Sequence, residues 1–104
     1  MTTPFQQLIW DLEESLESEG YLPLYSFSWW VRGQKRGLTE QDIAALCGEA
    51  YEEITQLHRL HLEWFDWPAL DLSSGRPAAP DTPLDFDINT TGEVSTPFLA
   101  LVPD

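Results

Sequence analysis

The sequence predicts an α+β domain in which three N-terminal helices precede a small antiparallel sheet. Two stretches with strong helix-start signals, near Thr3 and Thr39, carry apolar residues at steps of three and four, the period of an amphipathic helix. At Leu60 the period changes abruptly to two, as in a half-buried strand. The last third is rich in proline and turn residues and contains only short alternating runs. At 104 residues the chain is read as one domain (1–104), large enough to bury roughly 65% of the surface its unfolded form exposes.

Thr3-Pro4-Phe5-Gln6 has the pattern of a capping box with proline at the first helical position. Phe5, Leu8, Ile9, Leu12 and Leu16 follow on one stripe, and Gly20 stands where a left-handed C-terminal cap belongs, with Tyr21 expected to fold back on Leu16. The first helix is therefore placed from about Pro4 to Glu19. Asp11, Glu13, Glu14, Glu17 and Glu19 fall on its outer face, and the acids in its last turn oppose the helix dipole.

Leu22 to Gly33, LPLYSFSWWVRG, fits two readings. Leu24, Phe27 and Val31 suit a helix opened by Pro23, whereas Tyr25, Phe27, Trp29 and Val31 alternate as in a strand. The helix is preferred, because the run is short and packs naturally between two others. Arg32, Lys35 and Arg36 in the following loop hold three of the five basic residues and are expected to pair with nearby carboxylates.

Thr39 caps the third helix, with Glu40 and Asp42 in its first turn, where the dipole favours negative charge. Ile43, Leu46, Cys47, Ala50, Tyr51, Ile54 and Leu57 form its apolar stripe; Gln41, Glu49, Glu52, Glu53 and Gln56 fall opposite. Cys47, the single cysteine, is thus expected in the core. The helical part spans 1–59, a strand 60–67, a loop 68–83 and a hairpin 84–102. In the strand, Leu60, Leu62 and Trp64 face away from His61, Glu63 and Phe65. The hairpin is expected from Leu84, Phe86 and Ile88 and from Phe98 to Val102, with Pro97 restricting the latter to an edge or bulge. A helical turn opened by Thr96 and Pro97 is the alternative at that end.

Three helices, a strand, a loop and a hairpin follow the order of a winged-helix-like domain. LPLYSFSWW, the later helix with Glu52-Glu53-Ile54, and the aromatic strand ending at Trp67-Pro68 together resemble small uncharacterised bacterial proteins of winged-helix type, some considered immunity-like. The resemblance covers roughly Tyr21 to Pro68. It departs from the pattern at the helix-to-strand turn, where His58 and Arg59 stand in place of glycine. It implies the fold but brings no catalytic residue.

Charge narrows the function. Eighteen acidic residues against five basic give a formal net charge of −13, a field that repels nucleic acid and anionic membranes and speeds encounter with basic partners. A nucleic-acid-reading third helix would need lysine or arginine, and Thr39 to Leu57 has none. His58 and His61, with Glu63 or Asp66, are the one cluster of metal-ligand types, but the segment straddles the end of the helix and lacks a further ligand at fixed spacing. No phosphate-binding glycine loop or nucleophile motif is present, so the chain is read as a non-enzyme without cofactor. It has neither a leader-like N-terminal segment nor an apolar run of spanning length, which reads as a cytoplasmic protein. Five tryptophans exceed what so small a core readily buries.

These features point to a small acidic protein-binding module, of the kind an immunity-type or anti-defence inhibitor would be. Glu13, Glu17, Glu49 and Glu53 are the expected steering charges for a basic protein, and Trp29, Trp30, Trp64, Phe65 and Trp67 the expected apolar anchors. A homodimerising winged-helix-like domain without nucleic-acid binding is the alternative.

Overall fold

The fold is taken from a computed structural model that describes residues 3–66, 72–86 and 97–104. Three helices, α1 (Pro4–Glu19), α2 (Leu24–Gly33) and α3 (Glu40–Leu57), pack on one side of a four-stranded antiparallel sheet. Its strands are β1 (Leu22–Pro23), β2 (Leu60–Phe65), β3 (Arg76–Pro77) and β4 (Phe98–Pro103), in the spatial order β1-β4-β2-β3. The α+β class and the three helices are as the sequence predicts.

Both capping boxes form. The Thr3 hydroxyl accepts from the Gln6 N–H at 3.1 Å and Gln6 Oε1 accepts from the Thr3 N–H; Thr39 and Asp42 repeat the exchange at α3. Gly20 takes φ 81° and donates its N–H to Leu16, closing α1 in the left-handed conformation that glycine adopts without a Cβ clash. Between the helices lie Leu8, Leu12, Phe27, Val31, Cys47 and Ile54, all buried, together with Leu99 and Leu101 of β4. Cys47 is a buried thiol in this core, as expected.

The period-two reading of β2 holds. Leu60, Leu62 and Trp64 pack towards the helices, while Phe65 belongs to a second apolar cluster with Phe98, Ala100, Tyr21 and Tyr25. The Tyr21 ring lies 5.9 Å from that of Phe65. Burial in this cluster pushes the Tyr25 hydroxyl up to about 12, with smaller contributions from Tyr21 and Glu19.

Several boundaries differ from expectation. Pro23 ends a two-residue strand and the helix begins at Leu24, because Leu22 and Pro23 pair with Leu101 and Ala100. β2 stops at Phe65 rather than at residue 67. Within the expected loop 68–83, Leu72–Ser74 form a 3-10 turn and Arg76–Pro77 pair with Trp64 and Glu63 at a sheet edge, where proline is tolerated. Leu84, Asp85 and Phe86 do not form a strand. Phe86 instead turns onto the helices, its ring 5.3 Å from Phe27 and 6.2 Å from Tyr51, and its carbonyl accepts from the buried Ser28 hydroxyl at 2.7 Å. Burial of one aromatic ring outweighs three residues of alternation. The expected Ile88 and the turn after it lie outside the described residues.

Phe98–Pro103 is a strand, and a central one. It pairs with β2 from Phe65↔Phe98 to Leu60↔Pro103 and with β1 on its other side. Pro97 confines nothing to an edge, since it precedes the first ladder residue and removes no ladder hydrogen bond. Among the described residues no helix is long and apolar enough to cross a membrane.

Candidate protein-binding surface

Helix α1 governs the exposed chemistry. Its core stripe is narrow, so residues two positions off that stripe stand clear of the sheet. Trp10 is such a residue and is 63% exposed. Beside it, Phe5 and Ile9 sit at the border of the core, half-buried. Together with Gln6 and Glu13, and with Glu53 from α3, they line a groove of about 250 Å³ between α1 and α3. Helical spacing continues its acidic rim: Glu17 lies one turn beyond Glu13, and Glu49 one turn before Glu53. Leu57, expected in the core, is 54% exposed one turn beyond Glu53, because it is the last residue of α3 and the packing ends with the helix.

Four predicted site residues, Glu13, Glu17, Glu49 and Glu53, are thus carried by the two helices that form this groove. The structure does not gather the predicted aromatic anchors there. Phe65 is fully buried against Phe98 and Tyr21 and has no surface to offer. Its expected outward face is covered by the 72–77 segment, where Gly75 approaches so closely that a Cβ would meet the Phe65 ring at 2.8 Å. Trp64 is half-buried against the helical core. Trp29 is 63% exposed on α2, its ring 5.7 Å from that of Trp30, which is half-buried. Trp67 lies outside the described residues.

Trp10 is what the sequence reading missed. The signal was available: it sits two residues from Leu8 and Leu12, which points it away from the face those residues bury.

On the opposite flank of α1, Gln7, Asp11, Trp30, Gly33, Gln34 and Arg36 line a shallow cleft of about 380 Å³. Gln34 donates its amide to the Pro4 carbonyl at 3.2 Å, and its Oε1 is buried without a partner among the described residues. Arg32, expected in the loop after α2, lies instead in the last turn of that helix, and its guanidinium pairs with a carboxylate as expected, holding Glu40 through paired hydrogen bonds of 2.7 Å. That pairing lowers the Glu40 carboxyl below its usual range.

The two histidines have separate surroundings. His58 caps α3, donates its backbone N–H to Ile54, and brings Nε2 to 3.3 Å from Glu13. His61 stands on the outer face of the sheet, with Nδ1 2.7 Å from Asp104 and Nε2 2.5 Å from Glu63. A ring held by a carboxylate at each nitrogen is best served by two N–H groups, and donating to Asp104 and then to Glu63 raises its pKa above the ordinary value. Among the described residues no group of three or more His, Cys, Asp or Glu is placed to hold a metal ion.

Comparison with known proteins finds no matching family model, curated protein or solved structure.

Proposed function

We propose that this chain is a small acidic protein-binding module that engages a basic partner protein, in the manner of an immunity-type or anti-defence inhibitor, and carries no catalytic chemistry of its own. The observation that supports it most is the α1–α3 groove, where apolar side chains lie open between Glu13 and Glu53 in a chain of net charge −13. Apolar contact supplies affinity at such a surface, while the surrounding field steers the encounter.

The scaffold is winged-helix-like in this reading. A short strand separates α1 from α2, and α3 leads into the β2–β4 pair. In that order α3 takes the place of a recognition helix. Glu40, Asp42, Glu49, Glu52 and Glu53, with no lysine or arginine in the helix, favour a protein over a phosphate-walled groove.

Titration calorimetry against a panel of basic nucleases tests the proposal. At least one should bind at about micromolar Kd or tighter, with affinity falling as salt rises. Reversal of Glu13, Glu17, Glu49 and Glu53 to lysine should abolish that binding. Absence of binding across the panel, or binding indifferent to the reversal, refutes it.

A further inference from the structure

We infer that the α1–α3 groove receives a basic segment that inserts one large apolar side chain beside Trp10 and sets lysine or arginine against Glu13 and Glu53. This rests on the protein-binding reading above and gives it a place and a partner chemistry. Three features of the groove carry the inference.

Its size suits a single side chain: about 250 Å³ holds a leucine or phenylalanine but not a folded loop. Its walls are apolar where that side chain would rest, on Phe5, Ile9 and the exposed Trp10 ring. Tryptophan is the residue type most often found at the energetic centre of an interface, because it contributes a large rigid surface at low entropic cost. Its rim is acidic from both helices, and the complementary charge is lysine or arginine. Trp10 also offers its ring face to such a cation.

The groove is therefore selective in two ways. A basic segment without an apolar side chain leaves Trp10 exposed, and an apolar segment without basic flanks gains nothing from Glu13 and Glu53.

A short amphipathic peptide of leucine and lysine is the probe, read by fluorescence anisotropy of a label on the peptide. A leucine-to-alanine version and a lysine-to-glutamate version serve as controls. Trp10→Ala is expected to weaken binding about ten-fold or more, and Glu13→Lys with Glu53→Lys by at least as much. Glu14→Lys with Glu52→Lys makes the same change in net charge away from the groove and should weaken binding less than about three-fold. The alanine version should bind the wild-type chain no better than the leucine version binds Trp10→Ala. Because Trp10 is exposed, its substitution leaves the core intact, and far-ultraviolet circular dichroism verifies this; Glu53→Lys alone repeats the charge test without disturbing the His58–Glu13 contact.

If the two double reversals weaken binding equally and Trp10→Ala has no effect, the groove is overturned while an acidic binding module still stands. If neither the peptide nor any basic nuclease binds, both readings fall.

Discussion

Replacing Phe65 with alanine separates a core residue from an interface residue. Phe65 has no exposed surface, its ring stacks on Phe98 at 6.0 Å, and Tyr21 closes over it at 5.9 Å. Truncating a buried phenylalanine costs about 3–5 kcal/mol, the sum of lost transfer energy and the cavity left behind. The second cluster is small and lies beneath the short 72–77 segment, which can settle inwards, so the lower half of that range is expected. For a domain of this length each kcal/mol lowers Tm by roughly 4–8 °C, which puts the loss at about 12–32 °C. Total stability is only about 5–15 kcal/mol, so the variant should remain folded at room temperature but with a small margin. Trp29→Ala provides the contrast, since an exposed side chain away from caps and core should change stability by no more than about 0.5 kcal/mol. Thermal and urea unfolding followed by circular dichroism measure both. A Phe65→Ala variant within about 1 kcal/mol of wild type would refute the buried placement and restore Phe65 as a surface anchor.

Gly75→Ala should destabilise by about 1–3 kcal/mol, because its methyl would press on the Phe65 ring and on Glu63 Oε1; unfolding at wild-type stability would show that the 72–77 segment lies elsewhere. Ser28→Ala removes the hydroxyl that donates to the Phe86 carbonyl and should cost about 1 kcal/mol, with faster amide exchange in residues 84–86 as the local signature; unchanged exchange would mean that the segment is held by its ring contacts alone. His61 contributes stability while protonated between Asp104 and Glu63. Its folded-state pKa is raised, so that contribution is complete below the ordinary histidine value of about 6.5 and is lost as pH rises through the folded-state value. The group is largely exposed, and the effect should stay below about 1 kcal/mol. His61→Gln should flatten the stability profile across that window, and a profile identical to wild type would contradict the pairing.

Much of this fold is legible because its signals are local. The Thr3 and Thr39 caps, the Gly20 stop and the stripes of α1 and α3 depend on residues a few positions apart, and each appears where the sequence places it. What was not legible depends on distant partners. β1 is a strand only because Leu101 and Ala100 lie beside it, and β4 is central because β1 takes its second edge. Phe86 leaves the sheet for Phe27 and Tyr51, residues no local pattern connects with it. The same division runs through the candidate site. The acidic faces followed from helical spacing, whereas the fate of each aromatic depended on what covers it: Gly75 and Phe98 lie over Phe65, while Trp10 is left exposed among the described residues.

The most direct measurement is a map of backbone amide shifts, or of hydrogen-exchange protection, when a basic protein binds. An α1–α3 docking site predicts changes concentrated at Phe5, Ile9, Trp10 and Glu13 of α1 and at Glu53 and its neighbouring turns of α3, with α2 and the outer face of the sheet unaffected. Changes centred on Trp29 and Trp30, or on His61 and Glu63, would contradict it.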